Sequence, residues 1–171
     1  MRRRLLRLLK EGVLFVAAVA AVSLAVDWWR TPEHPVEMLP DVTLTALDGT
    51  PVALRSGVPV LLYFWMPRCP VCKHDMPAVK AMAKRYRVVS VAAFASRKEV
   101  EDAVAREGIA FPVVWDSDGT LSGRFGVEVF PMFFIYDATG KLRYATSGYT
   151  TQAGLAARLS LASRLGEASP R

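Results

Sequence analysis

The sequence predicts one α/β domain with a mostly parallel central sheet, preceded by a short apolar segment. Three observations support this prediction. The 171 residues are 52% hydrophobic, which suits one domain with a full core. Nearly continuous apolar runs at 58–65 and 88–94 are typical of strands covered on both faces, and segments with helical spacing follow them. Asp48-Gly49 lies between two short β-type runs and favours a hairpin turn.

The net charge of +6 does not indicate a nucleic-acid-binding protein. Residues 1–34 carry six Lys or Arg against three Asp or Glu, so half of the net charge lies in this segment. The remainder of the chain is nearly balanced and has no basic stripe with interleaved aromatic residues. Nucleic acid is therefore not expected among the partners.

The N-terminal segment predicts a membrane anchor. Basic residues at 2–10 precede an apolar stretch at 12–26, and Trp28 and Trp29 follow it. About 15 apolar residues fall short of the ~20 that span a bilayer, but the leucines at 5–9 lengthen the apolar helix. Paired Trp residues suit the headgroup region, and the basic flank keeps the N-terminus cytoplasmic. We therefore favour a single transmembrane helix within residues 1–30.

A cleaved signal peptide is the alternative, because Ser23-Leu24-Ala25 also fits a cleavage site. Both interpretations place the rest of the chain outside the inner membrane, in the periplasm if the source is Gram-negative. That compartment allows disulfides to persist. The favoured arrangement is a single-pass inner-membrane protein with its catalytic domain in the periplasm.

The domain itself is expected at 38–165, after a proline-containing linker at 31–37 and before a flexible tail at 166–171. Ser96 and Glu99 form a capping-box pattern that opens a helix, and Gly108 ends it. The remaining elements are a hairpin over 42–54, a strand over 58–65, a helix after Cys69, strands over 88–94 and 111–115, a hairpin over 132–149 and a last helix after Thr151.

The only two cysteines, Cys69 and Cys72, lie where a buried strand passes into a helix. A thiol at a helix N-terminus ionises more readily, because unpaired N–H groups and the helix dipole favour the thiolate. Pro70 suits the first helical turn, since its missing N–H has no partner there. Cys69 is then the exposed nucleophile, and Cys72, one turn later, is the resolving thiol.

Four charged or polar residues are assigned roles from their positions in the sequence. His74 and Asp75 are expected to be a solvated pair in the first turn of the helix. Arg68 either stabilises a thiolate or contacts the substrate surface. Glu99 is expected to serve as a helix cap.

The order of elements and the motifs resemble the thioredoxin fold, and more narrowly its exported, membrane-anchored TlpA-like branch. The resemblance covers roughly residues 38–165. It rests on Pro40-Asp41, the Asp48-Gly49 hairpin, Tyr63-Phe64-Trp65, Cys69-Pro70-Val71-Cys72, Met76-Pro77 and Phe130-Pro131-Met132. The centre and the stretch at 147–151 are most similar to the suppressor-of-copper-sensitivity protein D group.

This resemblance implies a central mixed sheet flanked by helices, with an N-terminal β-hairpin and a strand–helix–strand insertion. It also implies a cis Phe130–Pro131 bond facing the dithiol. Tyr63 departs from the pattern, because thioredoxins carry a buried Asp at this position, and no acid is identified that would accept the Cys72 proton. The implied site comprises the catalytic pair Cys69 and Cys72, supported by Trp65, Arg68, Pro70, Val71, Phe130 and Pro131.

The predicted function is therefore a thiol–disulfide oxidoreductase that acts on protein disulfides or dithiols, with no cofactor and no metal. Family resemblance implies a membrane thiol-electron transporter of the DsbD type as its partner. Three alternatives are a Cu(I)-binding metallochaperone using the same cysteines, a thiol peroxidase, and a binding module with a structural disulfide. No Thr closely precedes Cys69, which weighs against the peroxidase, and the lack of a third cysteine weighs against the copper protein.

Overall fold

The structure is a computed structural model, and it describes residues 10–14, 18, 22, 25 and 35–167. The chain divides into two units, Met1–Thr31 and Pro32–Arg171. In the first unit residues 10–14 are helical. Most of the anchor predicted at 1–30 lies outside the described residues. Among those that are described, no helix has the length and apolar character needed to cross a membrane.

The second unit contains two sheets. A five-stranded mixed sheet has the strand order β5-β4-β3-β6-β7, and β1 and β2 form a separate antiparallel pair. The central strand β3 pairs in parallel with β4 and antiparallel with β6. The strands are β1 (Thr43–Thr45), β2 (Pro51–Ala53), β3 (Val60–Trp65), β4 (Arg87–Ala93), β5 (Val113–Asp116), β6 (Met132–Tyr136) and β7 (Leu142–Ser147).

Four helices accompany these strands in residues 35–167. The capping box of α2 is present, with Ser96 and Glu99 bonded in both directions, and Gly108 ends that helix with a φ of 59°. Both features confirm the sequence prediction. The helices are α1 (Pro70–Ala83), α2 (Arg97–Glu107), α3 (Thr120–Arg124) and α4 (Gln152–Glu167).

Side chains of β3 alternate between two cores, one on each face of the sheet, because successive strand residues point to opposite sides. Tyr63 and Trp65 enter the core that lies under α1 and α4. Leu62 and Phe64 enter the core under the β1–β2 hairpin and the segment around Phe125. All six residues of the strand are buried, as expected for a central strand covered on both faces. The predicted mixed sheet and its N-terminal hairpin are confirmed.

The ends of several elements differ from the predictions. Residues 36 and 37, expected in the linker, bond to the sheet: the Val36 carbonyl accepts from the Tyr136 hydroxyl at 2.8 Å. The Glu37 carbonyl accepts from the Leu142 N–H at 2.7 Å. The short helix α3 was not predicted, since five residues are too few to show a helical period. The Asp116 carboxylate begins it by accepting from the Leu121 and Ser122 N–H groups.

Candidate active site

The two cysteines lie at the N-terminus of α1, just beyond the carboxyl end of β3. Cys69 is the N-cap residue of this helix, and Pro70 begins the first turn. The Cys69 sulfur accepts from the Cys72 backbone N–H at 3.2 Å. A side chain at this position normally supplies oxygen to an unpaired N–H group, and here sulfur takes that role. This hydrogen bond keeps Cys69 Sγ next to the positive end of the helix dipole.

The two thiols differ in access. Both are free and buried, so the prediction that Cys69 is exposed was wrong, but at 9% exposure Cys69 is more accessible than Cys72 at 1%. The Cys69 thiol points towards the Phe130 carbonyl, with the sulfur 4.0 Å from the oxygen. Burial, and then the neighbouring Cys69, raises the pKa of the Cys72 thiol well above its usual value. Cys72 therefore needs a base before it can act as a nucleophile.

Asp75 supplies a buried carboxyl group beside Cys72, and the prediction that it is solvated was wrong. Its exposure is 0%, and it lies three residues after Cys72 on the same face of α1. Burial raises its pKa to about 6, although the Thr150 N–H, at 3.4 Å from Oδ1, and His74 both favour the ionised form. Within residues 35–167, Oδ2 is a buried atom without a hydrogen-bond partner.

The helical pattern contained a signal for this burial. Asp75 precedes the buried Val79 by four residues and Met82 by seven, which places it in the apolar stripe of α1. His74 behaves as predicted: it is exposed, and its ring lies 5.2 Å from that of Tyr149.

Tyr63 occupies the position where thioredoxins carry a buried acid. Its hydroxyl donates to the Cys72 carbonyl at 3.2 Å, and its ring stacks on Phe133 with centroids 4.8 Å apart. Burial raises the pKa of Tyr63 far above its ordinary value, so the phenol stays protonated. Tyr63 is therefore a hydrogen-bond donor that fixes the first turn of α1, and Asp75 is the carboxylate of this site.

Arg68 is tied to α2 and not to the dithiol. Its Nε donates to Glu99 Oε1 at 2.8 Å, and a second guanidinium nitrogen contacts the same oxygen. The other oxygen, Oε2, accepts from the Ser96 N–H at 2.9 Å. These bonds to Ser96 and Arg68 lower the pKa of Glu99 to about 2. Glu99 therefore caps its helix, as predicted, and also joins the loop before Cys69 to α2, which was not predicted.

The loop before β6 completes the site, and the expected cis Phe130–Pro131 bond is confirmed. Pro131 is buried, and its carbonyl accepts from the Gly148 N–H at 2.8 Å. Trp65 is 2% exposed and packs in the same core cluster as the two cysteines. Trp65 and the Phe130 carbonyl thus lie near the cysteines, and Pro131 follows Phe130 directly.

One cavity lies next to the dithiol, and a second lies elsewhere in the domain. The nearer one, of about 400 Å³, is lined by Pro70, Val71, His74 and Tyr149. Val71 is 40% exposed there, so the residue between the cysteines contributes an apolar surface. A larger cavity of about 580 Å³ includes Leu47 and Phe111 in its lining and contains none of the predicted site residues.

Metal binding has no observation in its favour. In the part of the chain that the structure describes, no three His, Cys, Asp or Glu side chains gather in a group that could hold a metal ion.

A reactive dithiol at a helix N-terminus, on a thioredoxin-like α/β fold, defines a thiol–disulfide oxidoreductase. Soluble secreted antigen MPT53 of Mycobacterium tuberculosis is 30% identical over 145 residues, which cover 79% of this chain and 84% of that protein. Thiol-disulfide oxidoreductase YkuV of Bacillus subtilis is 31% identical over 99 residues, covering 53% of this chain and 67% of that protein.

A solved structure of a secreted disulfide oxidoreductase of M. tuberculosis, homologous to E. coli DsbE, matches with a TM-score of 0.65. Its identity is 26%, and the match covers 71% of this chain and 96% of that one. The family model described as AhpC/TSA matches residues 35–145. The chain belongs to the AhpC/TSA family.

Proposed function

We propose that Cys69 and Cys72 form the reacting centre of this oxidoreductase and that it exchanges disulfides with protein substrates. The proposal rests on the different surroundings of the two thiols. The Cys69 sulfur accepts from the Cys72 N–H at the N-terminus of α1. Cys72 is buried three residues before Asp75, whose Oδ2 is a buried atom without a hydrogen-bond partner. One thiol suits attack on an incoming disulfide, and the other suits a later, internal attack.

In the first step the Cys69 thiolate attacks one sulfur of the substrate disulfide. A Cys69–substrate disulfide forms, the substrate S–S bond breaks, and the other substrate sulfur leaves as a thiolate. The Cys72 N–H and the dipole of α1 favour the Cys69 thiolate before this attack. The leaving thiolate takes a proton from water.

In the second step Cys72 attacks Cys69 Sγ. Its thiol proton passes to the Asp75 carboxylate, the Cys69–Cys72 bond forms, and the second substrate sulfur leaves. Asp75 returns the proton to that sulfur or to water. The substrate gains two electrons and two protons, and the dithiol is oxidised to a disulfide. The same steps in reverse oxidise a substrate dithiol.

Insulin reduction tests this function. With dithiothreitol as the electron source, the full chain should accelerate insulin B-chain precipitation well beyond dithiothreitol alone, because Cys69 lies at the N-terminus of α1, where the helix dipole favours attack by sulfur. Turbidity at 650 nm is the measurement. A rate equal to that of dithiothreitol alone would contradict the proposal.

We further propose that the chain is a single-pass inner-membrane protein of the TlpA-like branch, with its domain in the periplasm. The basic, apolar and Trp-containing segment at 1–30 supports an anchor. Similarity to a secreted protein of M. tuberculosis supports export. A membrane thiol-electron transporter of the DsbD type would then re-reduce the Cys69–Cys72 disulfide, because the periplasm is oxidising and the catalytic cycle consumes the dithiol.

One experiment in cells tests location and partner together. A membrane-impermeant maleimide is added to spheroplasts of a Gram-negative host that makes the full chain, and the protein is resolved by its gel shift. We expect labelling of Cys69 from outside, and its loss when the transporter is deleted, because the dithiol then accumulates as a disulfide. Labelling only after lysis would refute the location, and unchanged labelling in the deletion strain would refute the partner.

A further inference from the structure

Phe94, in the turn between β4 and α2, combines two unfavourable features. Among the residues that the structure describes, it is the only one besides glycine with a positive φ, at 53°. Its side chain is also 57% exposed, although it is a large apolar group. Bulky residues rarely adopt the left-handed region, and such residues persist where the surrounding structure enforces them, often at functional sites.

The surrounding structure holds this turn firmly. The Phe94 N–H donates to the Asp116 carbonyl at 3.1 Å, and Trp115 Nε1 donates to the Ala95 carbonyl at 2.8 Å. Glu99 bonds the next residue, Ser96, and is itself paired with Arg68, the residue before Cys69. Glu99 thus joins this turn to the loop that carries Cys69.

The Phe94 ring contacts Gly119 and Phe130. A β-carbon at Gly119 would collide with the ring, so the absence of a side chain there allows this position. The ring also meets that of Phe130 edge to face, with centroids 5.9 Å apart. The Phe130 carbonyl in turn accepts from the Cys69 thiol. The Phe94 and Phe130 rings therefore form an aromatic pair at the loop whose backbone carbonyl faces Cys69, and the Phe94 ring extends to the surface of the protein.

We propose that Phe94 and Phe130 bind an apolar side chain next to the reacting cysteine of the substrate polypeptide. The inference rests on the proposed function, because a substrate joined to Cys69 through sulfur must lie against the Phe130 loop. No unpaired charge is needed at this surface, since Arg68 and Glu99 neutralise each other beside it. An apolar side chain covers the exposed part of the Phe94 ring, and its burial favours binding. Phe94 is thus a specificity-determining residue and takes no part in sulfur exchange.

Three disulfide substrates distinguish this specificity role from a general loss of structure in the variant. Two are dimers of one short peptide, with either Leu or Ser beside the cysteine, and the third is glutathione disulfide. The full chain should reduce the Leu peptide with the highest kcat/KM. Phe94→Ser should lower kcat/KM for the Leu peptide roughly five- to tenfold, mainly through KM, and leave the other two unchanged.

Two further variants serve as controls. Val58→Ser removes an apolar side chain of similar exposure, 48%. Val58 precedes β3 at the end of the strand opposite the dithiol, a strand length of about 20 Å at roughly 3.3 Å per residue. The substitution should change none of the three rates. Phe94→Gly relaxes the left-handed backbone, so its Tm should be equal or higher while its preference for the Leu peptide is lost.

The outcomes are distinguishable. Two results with Phe94→Ser would overturn the aromatic binding surface: an unchanged preference for the Leu peptide, or an equal loss of kcat/KM for all three disulfides. A lower Tm together with a uniform loss of kcat/KM in Phe94→Gly would also overturn it. Failure of the unmodified chain to reduce any of the three would overturn the proposed function and this inference with it.

Discussion

Cys69→Ser is expected to lower the protein-dependent rate of insulin reduction by about a thousandfold or more, which leaves only the rate of dithiothreitol alone. A serine hydroxyl at the N-terminus of α1 can accept from the Cys72 N–H as the Cys69 sulfur does, so the helix cap survives while the nucleophile is lost. The measurement is the insulin turbidity assay with the full chain. Circular dichroism and Tm show whether the fold is intact.

Cys72→Ser is the matched control, because it leaves the first attack possible and removes only the second. Its turnover should also fall steeply, but one equivalent of substrate thiol should appear in a rapid burst, since the first exchange releases one sulfur. Full turnover in Cys69→Ser would show that the cysteine pair is structural. A burst in Cys69→Ser and none in Cys72→Ser would reverse the assigned roles.

Asp75→Asn is expected to slow the second step by roughly a hundred- to a thousandfold near pH 7, because Cys72 loses its proton acceptor. In the unmodified chain, release of the mixed disulfide should rise with pH through the Asp75 pKa of about 6 and then level off. The variant should lack this rise. Single-turnover release of a fluorescent substrate thiol between pH 5 and 8 measures both, and identical profiles would exclude Asp75 as the base.

The same substitution should stabilise the fold. The pKa of Asp75 is raised from 3.8 to about 6 on folding, so the folded protein binds the proton more tightly than the unfolded chain. Stability is therefore fully present below about pH 4, falls as pH rises towards 6, and stays lower above it. Asp75→Asn removes this loss, and its unfolding free energy at pH 7 should be higher by about 3 kcal/mol, at roughly 1.4 kcal/mol per pKa unit.

Opposite effects of Asp75→Asn on activity and on stability would identify the role of Asp75. Activity lost together with stability gained would mark Asp75 as a carboxylate that is held in the core for chemistry. Asp75→Glu retains the carboxylate and should recover part of the second step, although the longer side chain displaces Oδ1 from the Thr150 N–H. Denaturant unfolding at pH 4 and pH 7 supplies the stability measurement, and lower stability in Asp75→Asn at both values would contradict this account.

Local signals explain which elements were predictable. The capping box at Ser96, the glycine that ends α2 and the cysteine pair at the start of α1 each act within a few residues, so the sequence shows their patterns. The apolar runs similarly identify buried strands, because both faces of this sheet are covered. The cis Phe130–Pro131 bond required the resemblance, since cis bonds occur at only about 5–6% of X-Pro positions.

The errors arose where contacts join distant parts of the chain. Asp75 was misassigned because acidic residues are seldom fully buried, even though it falls within the apolar stripe of α1. Its burial depends partly on Thr150, 75 residues away. The Arg68–Glu99 pair spans 31 residues, and Glu99 already had a sufficient local role as a cap. The left-handed backbone of Phe94 has no sequence signal, because a glycine is the residue expected there.

The central claim is that Cys69 is the attacking sulfur and Cys72 the buried, resolving one. Limited alkylation of the reduced full chain at pH 7, with substoichiometric iodoacetamide and peptide mapping by mass spectrometry, tests it most directly. We predict that the label is found on Cys69, with Cys72 modified only after unfolding, because exposure and the helix N-terminus favour the first thiol while burial raises the pKa of the second. Equal labelling of the two cysteines, or preferential labelling of Cys72, would contradict the account.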